Sequence, residues 1–210
     1  MADPLRGLIR RVFPILLDRA SRRHDAWVAD RKARLIGDLA GDVLEIGPGT
    51  GANFRHVKPG IRWIGVEPNP HMSPYLKRAA ARAGVTLDLR DGTAERLPTP
   101  DRSVDAVIST LVLCSVADLP RALAETRRVL RPGGRFVFVE HVGARRGTTE
   151  RRVQEFVRPF WSYVGDGCHP DRDTAAAIRA AGFAEVEIEE FRIGVPIVGP
   201  HIAGWARASD

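Results

Sequence analysis

One stretch constrains this chain more than any other, VLEIGPGTGANF at Val43–Phe54. An apolar run of strand length stops at glycines 47, 49 and 51 and gives way to a helical pattern. A strand that breaks at glycines and restarts as a helix opens a βα unit. The missing Cβ atoms let the backbone turn tightly and approach a ligand. An acid, Glu67, ends the next strand-like run, where it can accept hydrogen bonds from ribose hydroxyls. The loop alone leaves three readings open. It suits S-adenosylmethionine, but Gly47, Gly49 and Ala52 also satisfy the G-x-G-x-x-A dinucleotide pattern, and a structural turn would need the same glycines.

The rest of the chain supplies the sheet. Val43–Ile46, Arg62–Val66, Val85–Leu89, Val104–Ser109 and Arg135–Glu140 read as strands. Helical patterns at Pro70–Ala83 and Leu119–Leu130 lie between them. Alternation of this kind predicts a parallel sheet with helices on both faces. Thr148–Tyr163 and Thr174–Ala181 read as helices, the first bent at Pro159, with a polar turn Gly165–Asp173 between them. Phe183–Phe191 and His201–Arg207 read as strands that pair antiparallel at the edge. Residues 1–39 are expected to be helices packed over a single domain of residues 40–210.

Three features weigh on the choice of ligand. Glu45 stands two residues before Gly47, where an acid suits the cationic methionine end of S-adenosylmethionine and would repel a pyrophosphate. Gly92–Pro98 (GTAERLP) follows the third strand, where small residues with free N–H groups can read an adenine edge. Arg131–Gly134 (RPGG) precedes the fifth strand and would stop a helix. Each is weak alone, and together they favour S-adenosylmethionine.

Charge is uneven. Residues 1–36 carry nine basic and four acidic side chains, most of the excess of +6 in the whole chain. A basic amphipathic leader can touch an anionic membrane surface, although an Arg-rich solvated face reads the same way. The short run Val12–Leu17 suits neither a signal peptide nor a membrane span. Two cysteines, Cys114 and Cys168, offer no disulfide framework and no metal-ligand spacing, so no metal is expected. A cytoplasmic setting, peripheral to a membrane if the leader docks, follows.

The pieces LEIGPGTG, GVEPN, GTAERLP, DRSVDAVIST and RVLRPGGRFVFVE resemble the class I S-adenosylmethionine-dependent methyltransferases, with their type 11 methyltransferase domain. The resemblance implies a Rossmann-like α/β fold, a mostly parallel seven-stranded sheet with an antiparallel last strand. GTGANF, EPNP, LVLCSV, EHV, DGC and PHIAGWA extend it to the mammalian membrane-associated thiol S-methyltransferases and their bacterial relatives. That implies S-methylation of a small thiol, with S-adenosyl-L-homocysteine as product. Those mammalian proteins carry a hydrophobic N-terminal anchor, where this chain has the Arg-rich leader. The resemblance puts Glu45, Gly47, Gly49 and Gly51 around the methionine and ribose portions, with Asn53 as a further cofactor-binding residue. Glu67 would hold the ribose, with Pro68 and Met72 near the adenine. Thr93 would accept from the adenine amino group, standing where many relatives have Asp, with Gly92 and Ala94 beside it at the adenine edge. Thr110 and Leu111 would line the transferring methyl.

On the acceptor side the candidates are His141, Asp166 and His169. His141 follows the fifth strand at the carboxyl edge, where open α/β sheets bind ligands. There it can take a proton or stabilise a thiolate, or be only a loop histidine. Asp166, Cys168 and His169 lie in the polar turn, whose composition also suits a plain turn. Cys168 reads as an exposed thiol and Cys114 as a core residue, while Phe160, Trp161 and Tyr163 are candidates for an apolar acceptor wall. The alternatives are O- or N-methylation of a small metabolite, a nicotinamide-dependent oxidoreductase, and a nucleotide-binding protein without turnover. No nucleic-acid partner is expected, because STLVLCS replaces the Asn/Asp-Pro-Pro-aromatic motif of amino-methylating enzymes and neither cysteine follows a proline.

Overall fold

A computed structural model describes residues 4–58 and 60–210. Seven strands form one sheet: β1 (Asp42–Ile46), β2 (Arg62–Val66), β3 (Thr86–Arg90), β4 (Val104–Thr110), β5 (Leu130–His141), β6 (Glu185–Arg192) and β7 (Pro200–Arg207). Their order is β3-β2-β1-β4-β5-β7-β6. β1 to β5 pair in parallel, and β7 runs antiparallel to both β5 and β6. The chain moves outward from β1 to β3, then restarts at β4 on the other side of β1. The carboxyl ends of β1 and β4 therefore border the switch point at which open sheets bind ligands.

Strand alternation sorts the core onto two faces. Leu44 and Ile46 of β1 join Val107, Phe136 and Phe138 under α3 (Leu119–Val129) and α5 (Thr174–Ala180). Val43 joins Trp63, Ile108 and Val137 with Leu76 and Ala80 of α2 (Ser73–Ala83) and Ile36 of α1 (Pro4–Ile36). Glu45 shares this second face with Val43, which aims its carboxylate at Trp63. α3 begins where Asp118 accepts from the Arg121 N–H at 3.0 Å. α4 (Thr149–Val164) begins where Thr148 accepts from the Arg151 N–H at 3.2 Å.

Two expectations are corrected. Among the described residues the leader is a single 33-residue helix, Pro4–Ile36, rather than several. RPGG does not separate α3 from β5, because β5 already starts at Leu130. The register jumps from Val104–Leu130 to Ala106–Arg135, so these residues form an irregularity within the strand. Pro132 has no N–H for a ladder and Gly133 takes φ 69°, which together let the strand bulge rather than end.

Candidate functional site

A cavity of about 610 Å³ opens at the switch point, beneath α1. Its floor is the glycine loop. Gly47 takes φ 59° and donates to the Val66 carbonyl at 2.9 Å, and a Cβ there would meet Val112 at 2.7 Å. Any other residue would be strained and would close the loop against the β4 side. Gly49 also borders the cavity. Gly51 and Gly92, expected at the cofactor, do not border it. They are packing positions, where a Cβ would strike Ala79 and Phe54 or Pro98 respectively, each at 2.8 Å at nearest approach.

Two carboxylates face this loop. Glu67 accepts from the Gly49 N–H at 3.0 Å and the Asn69 N–H at 2.9 Å. These bonds lock its two oxygens in place, each with a lone pair to spare. Burial raises its pKa, against the pull of those two backbone donors. Glu45 is buried and accepts from Asn53 at 2.6 Å and from the Trp63 indole at 3.0 Å. Burial pushes its pKa up to about 7, opposed by Asn53, Lys32 and Trp63. Asn53 also donates to the Thr110 hydroxyl at 3.0 Å, and among the described residues nothing satisfies its buried Oδ1. An orphaned acceptor beside a buried acid fits an ammonium group.

Pro68, Met72, Thr93, Ala94, Thr110 and Leu111 line the same cavity. The Thr93 hydroxyl is hydrogen-bonded to Glu95, which leaves its oxygen able to accept. Leu111 sits at φ 57°, outside ordinary β or α backbone, and its N–H is held by the Val139 carbonyl at 3.0 Å.

At the far end His141, the last residue of β5, is buried with Cys114 and Cys168. One ligand atom from each lies within 4.8 Å of the others. His141 Nε2 is 3.1 Å from Cys168 Sγ, and the Trp161 indole donates to the same sulfur at 3.3 Å. Cys168 is therefore not the exposed thiol expected, and Cys114 lines the cavity as well as being buried. The reason is a tertiary stitch. The His169 N–H donates to the Cys114 carbonyl at 2.9 Å and folds the turn after α4 onto the loop after β4. A hydrogen bond from Cys168 draws the Cys114 pKa well below the thiol range, helped by His141 against burial. The Cys168 thiol is pushed up correspondingly.

Asp166 also lines the cavity, 3.9 Å from Arg10. His169 does not; its backbone makes the stitch, and burial lowers its pKa. Of the expected aromatic wall, Trp161 borders the cavity, whereas Phe160 is 72% exposed. Glu140 carries no motif in the sequence that marks it as part of the site. It is fully buried and accepts from the Ser109 hydroxyl at 2.7 Å and from the Val112 and Leu113 N–H groups at 3.2 Å each, which shapes the loop carrying Cys114. The roof of the cavity is likewise unmarked by any motif. Arg10, Phe13, Leu17, Ser21, His24 and Lys32 of α1 all face the cavity. A helical spacing of mixed residues was the only signal, and it does not say what the helix covers.

A family model described as methyltransferase domain matches residues 44–138. The thiol S-methyltransferase TMT1A of Homo sapiens is 35% identical over 95% of this chain and 87% of its own length. The thiol S-methyltransferase TMT1B of Rattus norvegicus is 37% identical over 92% of this chain and 85% of its own. A geranyl diphosphate methyltransferase solved with GPP and sinefungin shares the fold at TM-score 0.68 and 16% identity, over 88% of this chain and 78% of its own. A chain from the complex of the Haloferax volcanii Trm112 methyltransferase activator with a methyltransferase superposes at TM-score 0.70 and 18% identity, covering all of both chains. With two thiol S-methyltransferases 35% and 37% identical over 95% and 92% of its length, the chain belongs to the thiol S-methyltransferase family of class I methyltransferases.

Proposed function

We propose that this chain transfers the methyl group of S-adenosylmethionine to the sulfur of a small thiol. The carrying observation is that one cavity joins the two carboxylates at the glycine loop to the buried Cys114–His141–Cys168 wall. Glu45 and the free Asn53 oxygen suit the donor's ammonium, and Glu67 suits its ribose. Glu45 at the entrance of the loop would repel a pyrophosphate, which argues against a nicotinamide dinucleotide. Thr93 and Ala94 would meet the adenine, with Thr110 and Leu111 beside the methyl. The relatives named as thiol S-methyltransferases support sulfur as the acceptor atom.

The step is an in-line displacement. The acceptor thiol gives up its proton, its sulfur forms a bond to the methyl carbon, and the bond from that carbon to the donor sulfonium breaks. S-adenosylhomocysteine leaves, and one proton is released overall. The donor is already activated, so the protein's task is alignment and stabilisation of a thiolate. A free thiol has a pKa of about 8.5, so only a few per cent is thiolate at neutral pH.

A screen of thiols, phenols, catechols and amines with labelled methyl donor tests the reading. Turnover of thiols is expected. Inert thiols beside a turned-over phenol or amine would assign O- or N-methylation instead.

We also propose contact with an anionic membrane surface through α1. Leu5, Leu8, Val12 and Ile15 are exposed at helical spacing, next to exposed Arg11 and Arg19. Among the described residues no helix is long and apolar enough to cross a membrane.

A further inference from the structure

We infer that Cys114, His141 and Cys168 bind a zinc ion whose fourth position faces the cavity and takes the acceptor's sulfur. This rests on the thiol-methylation reading for the identity of the fourth ligand, but not for the metal site itself.

Donor chemistry and placement both carry it. Two thiol sulfurs and one imidazole nitrogen are the ligand set of a three-coordinate protein site for zinc, in which water or substrate completes a tetrahedron. Zinc–sulfur and zinc–nitrogen bonds of about 2.3 and 2.0 Å require donor atoms roughly 3.5–3.8 Å apart. The three atoms here lie within 4.8 Å of one another, and Nε2 and the Cys168 sulfur are 3.1 Å apart. Small rotations of the cysteine side chains bring them to that spacing.

The three residues come from separate elements, and each carrier is fixed. Cys114 lies in the loop after β4, which Glu140 holds by two backbone N–H groups and Arg172 holds through the Leu113 and Val116 carbonyls at 2.9 and 2.6 Å. His141 is paired across the sheet with His201. Cys168 is clamped by its own N–H to the Gly165 carbonyl at 3.1 Å and by the neighbouring stitch to Cys114. The Trp161 N–H aimed at the Cys168 sulfur is the outer-sphere donor that a metal-bound thiolate takes. All three residues line the cavity, so the coordination position left over opens toward the methyl-transfer space.

The chemistry follows from the ion's charge. Zinc binding displaces the protons of Cys114 and Cys168, giving a neutral site. An acceptor thiol that coordinates loses its proton to solvent and is held as thiolate near neutral pH. As its sulfur takes the methyl, the carbon–sulfonium bond breaks, and the neutral thioether is a poorer ligand that departs.

The test uses the full chain, with competition for zinc against a chromophoric chelator and spectra of the cobalt(II)-substituted protein. One zinc per chain is expected. Cys114→Ser and Cys168→Ser should each weaken zinc binding by more than about a hundredfold, and Trp161→Phe by about tenfold to a hundredfold. Retained S-adenosylmethionine binding by calorimetry certifies that each variant folds. Addition of a small alkyl thiol should strengthen the thiolate-to-cobalt band by about half, as a third thiolate joins two. A chain that binds no stoichiometric zinc, binds it equally in both serine variants, or methylates thiols at full rate when metal-free overturns the proposal and leaves the thiol reading standing. A cobalt spectrum untouched by thiol overturns the acceptor-ligand role. A chain that holds zinc at these residues but methylates only phenols or amines upholds the metal site and removes the thiol reading.

Discussion

Glu45 answers to two demands. As a strand residue facing Trp63 it is buried, and as the acid before the glycine loop it borders the cavity. Burial raises its pKa and the more distant Glu67 adds to the rise, while Asn53 of the loop, Lys32 of α1 and Trp63 of β2 oppose it without cancelling it. The sign follows directly. Its folded pKa of about 7 lies above the ordinary 4.5, so the fold is favoured when Glu45 is protonated. That advantage, about 3 kcal/mol for a shift of this size, is complete below the ordinary pKa and is lost as pH rises through 7. A bound ammonium favours the carboxylate instead, so donor binding expels a proton. Affinity for S-adenosylmethionine should therefore rise between about pH 5 and pH 7 and level off above, by linkage. Glu45→Gln should bind more weakly with a flatter profile. Calorimetry across that range checks it, and an equal slope in wild type and variant would remove Glu45 from the ammonium site. The loop glycines and Glu67 were legible because tight backbone and a ribose acceptor leave residue-type signatures. Gly51 and Gly92 carry the same signature yet serve packing, since a bare Cα looks alike in sequence whichever neighbour it faces.

At the scale of elements, α1 is pinned from within. Asp25 and Lys32, both 2% exposed, pair at 2.8 Å, and Asp25 also meets Arg55 at 3.0 Å and His56 at 3.3 Å across the turn after the glycine loop. Burial opposes the Asp25 charge, but His56, Lys32 and Arg55 prevail and hold its pKa well below the carboxylate range. This stability is present above the ordinary aspartate pKa and is lost as pH falls. Asp25→Ala should destabilise the protein by about 3–5 kcal/mol, because it leaves the Lys32 ammonium buried and unpaired. Denaturant midpoints measure this, and a loss below about 1 kcal/mol would mean that Lys32 escapes to water. The strands were readable one by one, since apolar runs ending at turn residues need no partner to be recognised. The path of RPGG was not, because whether Pro and Gly end a strand or bulge within it depends on the register of β4 beside it. The roof was not readable either. Phe13, Leu17 and Ser21 look like any mixed helical face until the cavity beneath them is known.

For the whole molecule, the exposed stripe of α1 and the exposed Phe156 and Phe160 of α4 lie on elements that border the cavity, joined where Arg10 approaches Asp166. Burial of such a stripe in a bilayer interface, with Arg11 and Arg19 against anionic headgroups, would place the roof at the membrane. Flotation with vesicles containing phosphatidylserine should show binding that weakens with salt and with the double substitution Leu8→Glu and Val12→Glu. Flotation unchanged by that double substitution would reject the contact. By itself the sequence determined the doubly wound sheet, its antiparallel last strand and the glycine loop with its acids, because these depend on local periodicity, turn chemistry and spacing along the chain. Only the tertiary structure decided that α1 closes the cavity and that Cys114, His141 and Cys168 share one wall. Those contacts join residues far apart in sequence, and spacing in the chain carries no record of distances that only the packing of separate elements creates.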